Sequence, residues 1–357
     1  MQALVLVGGE GTRLRPLTYD IPKPMLPVVG APMIGRVVEW LALYGVERVV
    51  FSLGYRADAF ADFLGGEWAG VELDYAIEPE ALDTAGAILY GASKGGLTDE
   101  RFVVVNGDIL TDLVLDDLLA FHESHGGMAT IALTPVEDPS AYGVVPTGAG
   151  GRVLAFIEKP PRDEAPTNLI NAGTYVLEPA VLGRIATGRR VSIEREVFPA
   201  LVGDGQLYAL ASDAYWLDTG TPERYLRAQL DVLTGQRPDL RLPVHHLDGA
   251  AMIGDGARLL GAIEGPAFLG AGATVAVGAT VANAVLGERA SVERGARVVG
   301  SALLGGAVIG EGALVEDSIV GPGAVVGAGA RVRALSVLGA NVAVTPGTVL
   351  DSARLPV

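Results

Sequence analysis

The sequence predicts an α/β domain with a mostly parallel central sheet, followed by a β-solenoid of hexapeptide repeats. Up to about residue 235, short apolar runs alternate with longer amphipathic stretches, the order of elements that packs helices against a largely parallel sheet. From Ala251 the chain becomes rich in Gly, Ala and Val, with branched aliphatics six apart at Leu269, Val275 and Val281 and again at Val326, Val332, Leu338 and Val344. A six-residue period with one aliphatic turned inward marks a solenoid. The length of 357 residues also favours two domains, placed at 1–235 and 251–357 with a linker over 236–250. The register slips near residues 286 and 320, where turn adjustments are expected.

The chain opens with an apolar run over Ala3 to Val7 that reads as a buried strand. Further strands are expected in VERVVFSL, VELDYAI, RFVVVNGD, GGMATIALTP, GRVLAFIEK and NLINAGTYVL, and helices in PMIGRVVEWLALYG, TAGAILYGASKGG and DDLLAFHESHG. Ligands of such sheets lie beyond the carboxyl ends of the strands.

Composition narrows the function. Net charge is −16, with no Lys/Arg-rich run, so the basic surface that a nucleic-acid partner requires is missing. With no cysteine, disulfides and thiolate metal sites are excluded and a reducing compartment fits. Neither a basic, then apolar, leader nor a stretch of about 20 apolar residues occurs, so the expectation is a cytoplasmic protein with no membrane partner. Of the four histidines, His122 and His125 are expected in solvated or capping roles at a helix face and its end. His245 and His246 fall in the linker without a carboxylate to complete a triad.

The segment after the first strand, GGEGTRLRPLT, places Gly8, Gly9 and Gly11 ahead of Arg13 and Arg15. Small residues let backbone N–H groups approach phosphate oxygens, although the string is neither a Walker A loop nor GxGxxG. Lys23 follows between Pro22 and Pro24, which stiffen the chain around a long side chain. Two arginines and a pre-positioned lysine beside a glycine turn form a polyphosphate clamp. Asp108 ends the apolar run RFVVVNGD, and Asp218 in YWLDTGT precedes a helix opened by Thr221 and Pro222. A carboxylate at a strand end suits magnesium, which is held by one or two carboxylates plus phosphates. For a single residue a turn or capping role is also open.

Taken with PKPMLPV, this opening resembles the signature of the sugar-1-phosphate nucleotidyltransferases. LDTAG, NGD, YGVV, FIEKP, INAGTYVLEP, VSIEREVFP and YWLDTGTPERYL follow in family order. The tail is similar to that of the mannose-1-phosphate guanylyltransferase branch. The resemblance implies a Rossmann-like nucleotidyltransferase domain followed by a left-handed parallel β-helix through which the chain is expected to form a homo-oligomer. It implies nucleotide binding by Leu6, Gly8, Gly9, Gly11, Thr12, Glu78, Asp83, Thr84 and Gly107. Catalysis falls to Arg13, Lys23 and Lys159, and magnesium to Asp108 and Asp218. Lys159 is expected to contact the sugar phosphate, Glu158 and Asn171 the sugar hydroxyls, and Gly143 to give backbone room.

Glu78 leads the stretch AIEPEALDTAG, which matches the family's base-recognition segment. Guanine offers two adjacent donors, which an acceptor-only carboxylate can take together, whereas uracil and thymine offer one donor between two carbonyls. Glu78 therefore favours GTP, with mannose 1-phosphate as its expected partner. Asp83 departs from the LGTAG pattern of the guanylyltransferase branch, where a glycine stands. The competing readings are transfer from dTTP, UTP or ATP to glucose 1-phosphate, and a catalytically silent paralogue that binds nucleotide-sugar. The solenoid holds no histidine, which argues against a second, acyl-transferring activity there.

Overall fold

The computed structural model describes residues 1–54 and 58–356. The chain divides into two compact units: Met1–Gly9 with Val37–Trp216, and Glu10–Arg36 with Leu217–Val357. The division passes through the glycine turn itself, so the arginine-bearing part of the signature belongs to the unit that holds the solenoid.

In the first unit, strand β1 (Gln2–Val7) lies between β2 (Arg48–Leu53) and β4 (Phe102–Asn106), and β2 pairs with β3 (Val71–Ile77), all parallel. Ala3, Leu4, Val5, Val49, Val50, Val103 and Val104 are buried, as strands covered on both faces require. Beyond β4 the sheet turns mixed. β6 (Leu169–Leu177) runs antiparallel to β4 and to β5 (Ala129–Pro135), and β7 (Leu207–Ala211) runs parallel to β5. Helix α1 (Met33–Leu43) begins in the second unit and ends in the first; α2 (Asp83–Gly95) and α3 (Leu115–His125) complete the helices the sequence pattern led us to expect. On α2, Gly91 and Gly95 face the sheet so closely that a Cβ would stand 2.8 Å from Leu4 and 2.5 Å from Val50.

Parallel register fixes where the ligand-bearing segments leave the sheet. Leu6 pairs with Ser52 and with Asn106, and Leu53 with Ile77. Hence Gly8, Glu78 and Gly107 all emerge at one carboxyl edge, where open α/β sheets bind ligands. Two backbone bonds extend that edge by one residue, from the Gly107 N–H to the Leu6 carbonyl (2.9 Å) and from the Glu78 N–H to the Leu53 carbonyl (2.8 Å).

The second unit contains the solenoid, a three-sided stack of parallel ladders running from Ala251 to Leu355. Its interior is lined by Leu269, Val275 and Val281, then Leu286, Val292 and Val298, then Leu303, Ile309 and Val315, then Val320, Val326 and Val332. The ladders Val285↔Ala302↔Ile319 and Ser291↔Val308↔Val325 advance by 17 residues per coil. Three hexapeptides would need 18, so a five-residue step recurs at one corner. It falls before Leu286, before Leu303 and before Val320, where two slips were expected. Asn283 (φ 46°), Gly300 (φ 55°) and Asp317 (φ 44°) turn the chain there in the left-handed region, which tightens the corner. The coil that follows restores 18 residues by placing both Ala334 and Leu335 at positive φ.

One ladder of the solenoid is covered on its outer face by the unit's own chain. Phe268, Val285, Ala302, Ile319 and Val337 alternate with the inward residues of their strands, yet all are buried. Part of the cover is α4 (Pro222–Leu233), which packs against the strand Ala284–Leu286. The rest comes from the segment 10–36. At Gly30 (φ 86°) a Cβ would stand 2.7 Å from the Pro243 ring and 3.0 Å from Phe268, so only glycine fits.

Candidate active site

In the first unit, Glu78 leaves β3 with both carboxylate oxygens engaged. Oε1 accepts from the Ser52 hydroxyl (3.1 Å) and Oε2 from the Leu82 N–H (3.1 Å). Each oxygen keeps a second lone pair, so the pair can still accept two donors from a base. Ser52 also donates to the Ala87 carbonyl (3.0 Å) and was not foreseen in the sequence. Thr84 opens α2. Its hydroxyl lies 2.6 Å from Glu194 and accepts the Ile193 N–H at 2.9 Å, which ties the segment VSIEREVFP to the base-recognition stretch.

Asp83 takes φ 63°, a backbone conformation that suits glycine and costs another L-residue about 1–2 kcal/mol. Its carboxylate accepts the Thr84 N–H at 2.8 Å, the local bond by which Asp tolerates such a turn. Asp83 thus holds a backbone conformation that the glycine of the LGTAG pattern could take without strain. Asp83→Gly is expected to stabilise the first unit by about 1 kcal/mol, read as a higher urea midpoint. A lower midpoint would show that the carboxylate contributes more than the strain costs.

The sugar-side residues also gather in this unit. Gly143 pairs with Glu158 across an antiparallel step, and a Cβ at Gly143 would lie 2.6 Å from Phe156 and 3.2 Å from the Glu158 carboxylate. Lys159 is held by its N–H to the Tyr142 carbonyl (3.0 Å), and its Nζ lies 3.0 Å from Glu158. It adopts φ 52° immediately before Pro160, and strain of that kind concentrates at functional positions. Asn171 donates to the Tyr175 hydroxyl (2.9 Å) and accepts the Gly173 N–H (3.0 Å), leaving one amide hydrogen and one lone pair for a ligand. Burial pushes the Tyr175 phenol up, so it stays neutral and serves Asn171 as an acceptor. The register of β6 shifts between Asn171 and Tyr175, a bulge of the sort that re-aims side chains beside sites. Asp108 follows β4 and is half-buried.

In the second unit, Gly11 (φ 61°) starts a single 3-10 turn over Thr12–Leu14, and its carbonyl accepts the Thr18 hydroxyl at 2.8 Å. A Cβ at Gly11 would stand 3.0 Å from Lys23 Cβ. Thr12 and Arg13 project into solvent, while Leu14 is buried and anchors the turn. The buried Lys23 lies 3.4 Å from Asp218 Oδ1, which also accepts the Gly220 N–H (2.9 Å); Arg224 reaches Oδ2 at 3.3 Å. The Arg13 guanidinium is beside the same glycine, with Nη2 2.7 Å from where a Gly220 Cβ would be. Arg13, Lys23 and Asp218 are thus brought together, with Arg224 as an addition the sequence did not reveal. Arg224 sits on the first turn of α4, whose cap Thr221 accepts the Arg224 N–H. The capping pattern located the helix start but not the reach of this side chain.

His122 is not solvated: it is 2% exposed, with Nδ1 2.8 Å from the Thr130 hydroxyl and Nε2 3.1 Å from Glu178. Leu115, Leu118 and His122 share one helical stripe that faces the core, so its burial follows the apolar spacing. His125, in contrast, stays at the helix end with Nδ1 2.8 Å from the Phe121 carbonyl.

Residues 2–235 match the nucleotidyl transferase family and residues 263–356 the GMPPB C-terminal domain. The chain belongs to the nucleotidyl transferase family. It is 42% identical over 284 residues, 79% of this chain and 76% of the relative, to the mannose-1-phosphate guanylyltransferase of Mycobacterium tuberculosis. It is 40% identical over 260 residues to the mannose-1-phosphate guanylyltransferase catalytic subunit beta of Dictyostelium discoideum, with 71% of each chain covered. Among solved structures it is similar to HddC from Yersinia pseudotuberculosis, with a TM-score of 0.57 and 32% identity over 65% of this chain and 99% of that one. A second HddC structure, complexed with GMP-PN, matches with a TM-score of 0.55 and 30% identity over the same shares.

Proposed function

We propose that the chain transfers a guanylyl group from GTP to mannose 1-phosphate, giving GDP-mannose and pyrophosphate. The observation that carries this reading is the delivery of the glycine turn, Glu78 and Gly107–Asp108 to one carboxyl edge of the sheet. The names of the relatives and the guanine nucleotide in one HddC structure agree with it.

The sugar phosphate has a second pKa near ~6 and is a dianion at neutral pH, so no general base is needed. Its oxygen attacks the α-phosphorus, the new P–O bond forms, and the bond to the bridging oxygen breaks so that pyrophosphate leaves with that electron pair. Catalysis is then positioning and charge neutralisation. Arg13 and Lys23 are assigned to the departing pyrophosphate, Lys159 to the attacking phosphate, and Glu158 and Asn171 to the sugar hydroxyls.

Asp108 and Asp218 are the residues proposed to hold magnesium. Asp108 stands two residues past β4 and Asp218 ends the strand Trp216–Asp218, and both are half-buried oxygen donors. That donor set fits a hard cation completed by phosphates and water rather than by a protein cage. When bound, the cation supplies charge neutralisation on the phosphates. Among the described residues no helix is long and apolar enough to cross a membrane, and we place the protein in the cytoplasm. Homo-oligomerisation through the solenoid is a further proposal, supported by Val325 and Val349, which are exposed on its two other ladders. Sedimentation of the full chain against V325K/V349K tests it.

Pyrophosphate release over a grid of GTP, dTTP, UTP, ATP and CTP against mannose, glucose and N-acetylglucosamine 1-phosphates tests the function. A dominant GTP–mannose cell is expected. Preference for dTTP or UTP with glucose would retain the reaction class and reassign the substrates, and a grid without turnover would favour the silent paralogue. Glu78→Gln should lower kcat/KM for GTP by at least about 10²-fold, within the ~10⁴ that unpaired polar groups can impose. Unchanged kcat/KM would remove Glu78 from base selection.

A further inference from the structure

The 3-10 turn that carries Arg13 rests on two successive coils of the solenoid. Arg354 donates from Nη1 to the Arg13 carbonyl at 3.4 Å. At the other end of the turn, a Cβ on Gly339 would stand 3.1 Å from Pro16 Cβ. Gly339 and Arg354 lie on successive rungs of one ladder, since Leu338 pairs with Leu355 and the Gly339 N–H donates to the Leu355 carbonyl.

Glycine recurs at this place of the ladder, at Gly254, Gly270, Gly287 and Gly321, where the backbone of the next coil passes close by. Gly339 keeps that pattern, with Pro356 Cδ and the Leu355 carbonyl of the next coil 3.1 and 3.2 Å from where its Cβ would be. It adds Pro16 of the segment 10–36 at 3.1 Å from the same point. Gly339 follows the buried Val337 and Leu338, so the turn has the solenoid behind it at Pro16.

We propose that these two rungs are a positioning element for catalysis: Gly339 and Arg354 set the placement of the turn that presents Arg13 beside Gly220 and Asp218. The inference rests on the assignment of Arg13 to the departing pyrophosphate. It gives the solenoid a part in the chemistry of its own chain. Because ladder bonds tie each rung to the next, the support is as stiff as the stack that carries it.

The test compares G339A, R354A, R354K and R13Q in the full-length chain, measuring steady-state kinetics and amide hydrogen exchange of the peptide spanning residues 10–20. A methyl group at 339 meets the ring carbons Pro16 Cβ and Pro356 Cδ and the Leu355 carbonyl, none of which can rotate away, so Pro16 and the strand holding Pro356 must give by a few tenths of an ångström. G339A is expected to speed exchange in that peptide and lower kcat about 5- to 10-fold, a fraction of the ~10²-fold that a 1 Å misplacement can cost. KM for the sugar 1-phosphate should not change. R354A should act in the same direction by about 3-fold, and R354K, which keeps a donor, should restore most of the rate. R354A also serves as the folded probe if G339A does not accumulate as soluble protein. Unchanged kcat in both G339A and R354A, or a lost rate with unaltered exchange in the peptide, would overturn the proposal. Full turnover by R13Q would overturn the underlying assignment instead, and that outcome is read separately from exchange.

Discussion

Replacing Arg13 with glutamine is expected to lower turnover by about 10²–10³-fold, the loss that follows removal of one preorganised donor aimed at developing charge. The Arg13 side chain is solvent-exposed, so its removal leaves no buried partner stranded and should not unfold the protein. Its neighbours are Gly220 and, through it, the Asp218 carboxylate already faced by Lys23 and Arg224. Arg13, Lys23 and Arg224 converge around this carboxylate, a grouping of cations suited to facing a polyanion. Charge should therefore matter more than shape at this position: Arg13→Lys should recover a larger share of the rate than Arg13→Gln, though not the whole, because a lysine lacks the planar fork that grips phosphate oxygens. Single-turnover measurements separate the chemical step from product release. Near-full turnover in the glutamine variant would take Arg13 out of the mechanism.

Substituting Arg36 with leucine is expected to cost about 3–5 kcal/mol of stability, as breaking a buried charged network does. Arg36 is 1% exposed and donates to three backbone carbonyls, those of Val28 (3.2 Å), Val29 (2.7 Å) and Arg241 (2.6 Å). Leucine would fill much of the space but leave the buried Val28 and Val29 carbonyls without their donor, at about 1–3 kcal/mol each before relaxation. The site also carries strain. Val29 has φ 44°, an outlier for a β-branched residue, and its N–H is fixed by the Gln229 side chain at 2.9 Å. The Gln229 amide and the Tyr225 hydroxyl both donate to the Pro27 carbonyl, so α4 and Arg36 together clamp the stretch that follows Lys23. Urea unfolding followed by tryptophan fluorescence and by circular dichroism measures the effect. A loss below about 1 kcal/mol would mean that water or a local shift satisfies the carbonyls.

The parts of the fold legible in the sequence were those in which local pattern and burial agree. Val103–Val105 could only be a strand buried on both faces, and the alternation of such runs with amphipathic segments gave the sheet. In GRVLAFIEK that agreement breaks down. Only Ile157–Glu158 forms a strand, because Gly150 and Gly151 at φ 66° and 73° fold the preceding segment into a tight turn. His122 shows a signal present but discounted, since its residue type suggested the surface while its spacing placed it in the core. The covered ladder of the solenoid was legible too, in triplets such as AFL and AVL whose middle residue is also apolar. Conformations set by the surroundings left no trace in the sequence. Nothing local requires Asp83 and Lys159 to take positive φ, and nothing marks Arg224 as a partner of a carboxylate six positions earlier.

The packing of residues 10–36 on the solenoid has a consequence for how the protein is made. The turn around Arg13 is synthesised long before the residues proposed to support it, since Gly339 and Arg354 follow more than 320 positions later. At translation rates of about 5–20 residues per second, that interval lasts roughly 15 to 70 seconds. Throughout it the signature segment has strands to leave from but no floor to settle on. A nascent chain can therefore form its sheet while the segment around Arg13 still lacks its support, and the proposed role of Gly339 and Arg354 predicts that activity follows only once both have folded into the stack.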